Sequence, residues 1–239
     1  MSKIHRFIGD FKVVEEVIVV RDPELLSQWR NVLRLKKGDT VELVSQEDNQ
    51  AHLGVIELLI KNEATVKITK TSQIPSAPLK NITLYCAILK KSNFDLVVQK
   101  AVEVGVGKIV PVKTERTIKQ NLNLVRLNKI AKEAAEQSGR YEVPVVEEPV
   151  SFKDALENLI EKELNLFFDF GDNITKISDL DINTDVSVFI GPEGGFTQAE
   201  RTLAEKHNLT FTTLGSNVLR AETAAITSVW YLSLYKNII

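Results

Sequence analysis

The 239-residue sequence predicts a two-part α/β protein: a small β-rich domain over residues 1–72 and a mostly parallel α/β domain over 73–239. Three observations carry that prediction. Residues 1–70 hold short β-branched segments broken by turn residues. The stretch Thr71–Lys80 holds two prolines among small polar residues, the composition of a linker. After it, strand-length apolar runs alternate with helical patterns, the rhythm of a parallel sheet with crossover helices.

In the first part, Val17–Val20, Thr40–Val44, Ala51–Ile56 and Ala64–Ile68 read as strands, with Lys37-Gly-Asp and Glu47-Asp-Asn as turns. One helix interrupts them. Asp22 is placed as its N-cap, Pro23 as its first residue, and Leu25, Leu26, Trp29, Val32 and Leu33 as its apolar face. Short strands with one helix suggest a small barrel. In the second part, Ile82–Leu89 reads as a buried strand. Phe94, Val97, Val98, Ala101 and Val104 follow at helical spacing up to Gly105. Lys108–Val112, Val143–Val146, Asn165–Phe170, Val186–Ile190 and Phe211–Leu214 are further strands. Helices are expected over about 122–138, 151–164 and 221–236, and Thr197–Glu200 has capping-box spacing for another.

Composition narrows the function classes. Hydrophobic residues make up 44% and charged residues 26%, usual for a globular protein. No run nears the roughly 18 apolar residues of a membrane span, and Met1–Arg6 lacks a secretory pattern, so a cytoplasmic address is expected. Cys86 is the one cysteine, and His5, His52 and His207 are scattered, so no metal-ligand spacing arises. The net charge of −2 is unevenly spread. Residues 100–140 hold nine Lys/Arg against four Asp/Glu, while 141–239 hold seven against sixteen. A polyanion partner is expected to meet the middle stretch, unless those cations merely solvate helix faces.

Competing phosphate and nucleophile motifs fail. Gly105-Val-Gly-Lys108 has Val102 where a P-loop needs glycine and Ile109 where it needs Ser or Thr. Gly215-Ser216 is followed by Asn-Val, so no nucleophile elbow forms. Two loops remain, each directly after a predicted strand: Gly191–Phe196 and Leu214–Ala224. Ligands of open α/β sheets bind at the carboxyl ends of strands. Glycines let backbone approach a ligand and offer N–H and C=O groups, which suits a nucleoside; they equally suit a tight strand-to-helix turn.

Four ordered blocks then resemble one family. Gln99–Arg116, Ala134–Arg140, the pair Ile190–Phe196 with Leu214–Ala224, and His5–Phe7 with Asn31–Asp39 are similar to the ribosomal RNA small-subunit methyltransferase E family of the SPOUT superfamily. The resemblance covers essentially the whole chain. It implies a PUA-like N-terminal β-barrel that binds RNA and a C-terminal trefoil-knotted α/β methyltransferase domain. It implies S-adenosyl-L-methionine as cofactor, a homodimer, no metal and no membrane. It implies methylation of uridine N3 in 16S rRNA, within the assembled small subunit.

On this resemblance, Arg220 and Glu193 are the expected catalytic residues. Expected cofactor contacts are Phe168, Gly191, Pro192, Glu193, Gly194, Gly195, Leu214, Gly215, Ser216, Asn217, Val218, Leu219, Glu222 and Thr223. Arg6, Arg34, Arg116 and Arg140 are the expected RNA contacts, and reversing Arg116 or Arg140 is expected to leave cofactor affinity little changed. Arg220 has a competing role as an ion-pair partner of Glu193 or Glu222, and Thr223 as a helix-turn cap. Asn217 departs from the family's usual Arg or Lys, leaving one contact open. Two rival readings remain: a non-catalytic RNA-binding assembly factor, favoured only by Asn217, and a methyltransferase for ribose 2′-OH or transfer RNA, disfavoured by the N-terminal motifs. The apolar run Ala224–Leu234, with Trp230 and Tyr231, is expected to form core, dimer surface or both.

Overall fold

A computed structural model describes residues 4–75, 81–117, 121–160, 163–170 and 174–234. The second half of the expected linker, 76–80, lies outside them, as do 235–236 of the expected last helix. The chain divides into two compact units, 1–76 with 135–143, and 77–134 with 144–239. The partition is therefore not one cut in the sequence.

The first unit is a six-stranded sheet. Its strands are β1 (His5–Gly9), β2 (Val13–Val14), β3 (Val17–Val20), β4 (Thr40–Ser45), β5 (Gln50–Leu59) and β6 (Ala64–Gln73), in spatial order β1-β4-β5-β6-β3-β2. β1 runs parallel to β4 and the other pairings are antiparallel. β1 and β2 were not among the expected strands. Helix α1 (Pro23–Ser27) starts as its sequence dictates, with Asp22 accepting from the Glu24 and Leu25 amides at 2.9 and 3.3 Å. It then widens into a π-helical turn, Gln28–Val32. The wider turn breaks the 3.6-residue register: Trp29 is fully buried, but Val32, expected on the apolar face, is 72% exposed. Trp29 packs with Phe7, Leu26, Leu43 and Ile56 as the unit's core.

The second unit is one sheet with every pairing parallel. It contains β7 (Ile82–Ala87), β8 (Lys108–Lys113), β9 (Val145–Val146), β10 (Val150–Ser151), β11 (Leu164–Phe168), β12 (Thr175–Lys176), β13 (Val186–Ile190) and β14 (Thr210–Thr213). The order is β10-β8-β7-β13-β11-β14-β12, with β9 also on β8. The expected mostly parallel α/β sheet is present. α2 (Lys91–Glu103) and α3 (Leu124–Ser138) follow β7 and β8, and Asn123 caps α3 by accepting from the Arg126 amide at 3.0 Å.

One helix is shorter than expected. α4 covers Phe152–Glu157 rather than 151–164, because Asn158 leaves helical geometry and Leu164 already belongs to β11. α5 (Gln198–Lys206) carries the capping box read from Thr197 and Glu200. α6 (Ala221–Leu234) packs against α2, β7 and β13, although β14, the strand before it, lies on the far side of β11. Among the described residues no helix is long and apolar enough to cross a membrane.

Candidate functional site

Because the sheet is parallel, the carboxyl ends of β7, β11, β13 and β14, neighbours in the order given, open on one edge. The loops leaving those ends line a cleft of about 540 Å³. That volume is typical of small-molecule sites. Of the residues expected from sequence, Phe168, Gly191, Pro192, Glu193, Gly195, Leu214, Asn217, Val218, Leu219, Arg220 and Glu222 line it. Gly194, Gly215, Ser216 and Thr223 belong to the same loops but not to the lining. Thr223 is exposed, and its carbonyl accepts from the Thr227 hydroxyl at 2.7 Å.

Each loop is fixed by residues the sequence placed there. Gly195 takes φ +67°, a conformation that favours glycine, and its amide closes a turn on the Pro192 carbonyl at 2.8 Å. A Cβ on Gly191 would lie 2.9 Å from the Phe196 ring, so that glycine is required by close packing. Phe196 ends the loop in the core, against Phe152 and Phe167. In the second loop, the Thr213 hydroxyl bridges Gly215, donating to its carbonyl at 2.9 Å and facing its amide at 3.3 Å.

The cleft has a distinct electrostatic layout. Arg220 is exposed just before α6 and has no carboxylate partner among the described residues, so the competing role as an ion-pair partner of Glu193 or Glu222 is not seen. Glu222 is buried at 9% exposure and Glu193 is exposed. Cys86, in register with Ile190 at the end of β13, is held far above the usual thiol range, first by burial and then by the charges of Glu193 and Glu222. The thiol therefore stays neutral. Thr212 is fully buried near the end of β14, and its hydroxyl has no hydrogen-bond partner among the described residues.

The sequence alone did not point to Lys90, Asn93, Asp169, Phe170, Thr212 and Thr213, and within or beside its two loops Ile190, Phe196, Ala221 and Ala224 were not expected contacts; all ten are in the lining. The strand-end rule, applied to the segments after β7 and β11, points to Lys90 and to Asp169 with Phe170. Asp169 sits 3.2 Å from the Arg201 guanidinium, which also donates to the Phe170 carbonyl at 2.8 Å, so α5 braces this segment.

The four expected RNA arginines are dispersed. Arg34 is exposed with φ +55°. Arg6 is committed within its own unit: it pairs with Glu42, donates to the Gly139 carbonyl and lies over the Tyr141 ring at 4.0 Å. Arg140 is half-buried, and burial lowers its pKa despite the nearby Glu142. Arg116 donates to the Gly194 carbonyl at 2.6 Å. Within the basic stretch, Lys100, Lys108 and Arg126 pair with Glu103, Glu147 and Asp95. Among the described residues no cluster of metal-ligating side chains occurs.

Known proteins share this pattern. A family model described as an RNA methyltransferase domain matches residues 75–233. A ribosomal RNA small subunit methyltransferase E from Rickettsia conorii is 36% identical over 210 residues, 84% of this chain and 82% of that protein. A protein of the same name from Bacillus subtilis is 28% identical, covering 82% of each chain. A crystal structure of such an enzyme from Neisseria gonorrhoeae, bound to S-adenosyl methionine, superposes with a TM-score of 0.87 at 28% identity over 98% of both chains. A putative methyltransferase from Legionella pneumophila, also in complex with S-adenosyl methionine, gives 0.86 at 29% identity over 98% of both. With this sheet, this cleft and these relatives, the chain belongs to the ribosomal RNA small subunit methyltransferase E family.

Proposed function

We propose that the protein methylates N3 of a uridine in 16S rRNA, within the assembled small subunit, using S-adenosyl-L-methionine. The observation that carries this reading is the cleft at the carboxyl ends of four parallel strands, in a chain whose relatives bear that enzyme's name. The residues present fit the cofactor. Phe168, Ile190, Leu214 and Leu219 offer apolar walls for a base, and the unpaired Thr212 hydroxyl offers a hydrogen bond. Glu193 and Glu222 supply negative charge where a cationic ligand would sit. When bound, the cofactor supplies a methyl group on a positively charged sulfonium.

Gly191–Gly195 and Leu214–Leu219, with Phe168, Glu222 and Thr223, are the residues we assign to cofactor binding. Gly194, Gly215, Ser216 and Thr223 act by shaping those loops. A neutral uridine N3 carries a proton and is a poor nucleophile. Arg220, unpaired and at the cleft, stabilises the imide anion through O2 or O4. Glu193 or water takes the proton. Charge cancels as the transition state forms, so placement of the two reactants supplies most of the rate.

We further infer that the first unit is a PUA-like RNA-binding barrel, with Arg34 exposed for contact and Arg140, distant in sequence, belonging to the same unit. The knotted SPOUT topology of the second unit is supported by the return of α6 from β14 to α2 and β7. A homodimer is supported by α6, which leaves Trp230 51% and Leu234 47% exposed, and a cytoplasmic address accords with an rRNA substrate. Titration calorimetry with S-adenosylhomocysteine tests the cofactor assignment. Saturable binding is expected, with a raised melting temperature because the ligand binds only the folded state. No binding would favour the assembly-factor reading. Sedimentation at micromolar concentration is expected near twice 26.8 kDa, and a fully active monomer would remove the dimer.

A further inference from the structure

The turn Thr114–Thr117 leaves β8 and takes no part in lining the cleft, yet it grips the glycine loop from behind. Arg116 donates through Nη1 to the Gly194 carbonyl at 2.6 Å. The Glu115 amide donates to Glu200 Oε1 at 2.9 Å, while Glu200 Oε2 accepts from the Thr197 amide at 2.8 Å. One buried carboxylate thus joins the turn to the residue that follows Phe196. The turn is itself tied: the Thr114 amide donates to the Thr117 hydroxyl at 3.0 Å, and the Thr117 amide to the Thr114 carbonyl at 3.2 Å.

The two ends of the glycine loop are secured differently. Phe196 and Thr197 are buried and held by the core and the capping box. Glu193 and Gly194 are exposed, and among the described residues Arg116 is the hydrogen-bonded tether on this stretch besides the Gly195–Pro192 turn. A loop with three glycines in five residues loses much conformational freedom when a ligand orders it. A tether that orders it beforehand removes that cost from binding.

We propose that Arg116 is a positioning residue that pre-organises the Gly191–Phe196 loop for the cofactor, and that it is not an RNA contact. The inference rests on the cofactor reading of the cleft. It reverses the expectation that changing Arg116 spares cofactor affinity. The geometry favours it because the guanidinium is already committed to a backbone carbonyl 78 residues away, within the same unit.

Full-length wild type, Arg116→Lys and Arg116→Met are compared by three measurements: calorimetry with S-adenosylhomocysteine, methyl-transfer kinetics, and RNA binding across a salt series. Arg116→Met is expected to raise the S-adenosylhomocysteine Kd and the cofactor KM about tenfold, the scale of one charge-assisted hydrogen bond. kcat is expected to fall much less, and RNA affinity and its salt slope to stay unchanged. Arg116→Lys keeps a cationic donor and recovers part of the loss, which a general loss of folding would not produce. Wild-type cofactor affinity in Arg116→Met, with a flatter salt slope for RNA, would overturn the proposal and make Arg116 a phosphate contact. A fall in kcat with unchanged cofactor KM would also overturn it. Should Arg116→Met fail to fold, Arg116→Ala, which likewise removes the donor, decides against it if its cofactor KM is unaltered. Wild type that binds no S-adenosylhomocysteine would sink the cleft reading first, before any variant is compared.

Discussion

Phe196 packs on Phe167 with ring centroids 4.2 Å apart and planes inclined by 33°, which seats the end of the glycine loop in the hydrophobic core. Phe152 lies 5.4 Å from the Phe196 ring, and Phe211 lies 4.7 Å from Phe167 with its plane tilted by 43°. Site and core are therefore one packed body. Phe196→Ala removes a buried aromatic from this cluster, and a loss of about 3 kcal/mol in denaturant unfolding is expected. Binding of S-adenosylhomocysteine should weaken in the same variant, since the ring also lines the cleft. Unchanged stability would mean the cluster repacks without it.

Gly195 separates backbone strain from bulk. A Cβ there meets nothing within 4 Å, so the cost of Gly195→Val comes from φ +67° and not from a clash. Gly195→Val should abolish the thermal shift given by the cofactor. Gly195→Asn should retain most of it, because asparagine tolerates the left-handed region. Equal loss in both variants would point to volume instead.

Arg220 is predicted to act on the reacting base. Arg220→Lys keeps a charge but loses the planar fork, so single-turnover methylation should slow far more than cofactor binding weakens. Rates should climb with pH until the bound uridine is fully ionised. Glu193→Gln separates two roles: slower methylation marks a base, weaker cofactor binding marks a loop support. Near-normal single-turnover rates in Arg220→Ala would end the assignment of Arg220.

Cys86 gives a pH-dependent signature of folding. Its thiol is raised above the ordinary value of 9.0 by burial, with Glu193 and Glu222 adding to the shift. The folded chain thus keeps the proton when the unfolded chain releases it. Stability from this group is complete below about pH 9 and declines above it, by at most about 1.4 kcal/mol per pH unit. Urea unfolding of wild type and Cys86→Ala from pH 7 to pH 10 should show a shallower alkaline decline in the variant. Parallel curves would contradict the burial of a neutral thiol.

Much of the architecture was legible because strand-end rules and helix caps are local. Asp22, Pro23, Thr197 and Glu200 announced their helices, and parallel order followed from strands alternating with helices. The hairpin between β2 and β3 was not legible. Its two-residue turn is Glu15-Glu16, both at positive φ, where sequence signals favour Asn or Gly. Val32 was misplaced because a π-helical turn cannot be read from a 3.6-residue period. In the cleft, both glycine loops were visible, whereas Lys90, Asp169 and Thr212 carry no motif and are gathered only by the order of β7, β11 and β14 in the sheet. Arg116 looked like part of a basic surface because its partner is a backbone carbonyl, which no residue pattern announces.

The most direct test of methyl transfer follows a labelled methyl group from S-adenosyl-L-methionine into small subunits isolated from a strain lacking this protein. After digestion of the 16S rRNA, the label is expected in 3-methyluridine at one position, and Arg220→Ala is expected to leave the rRNA unlabelled. Label on a ribose 2′-oxygen, or no label with active wild-type protein, would contradict the account.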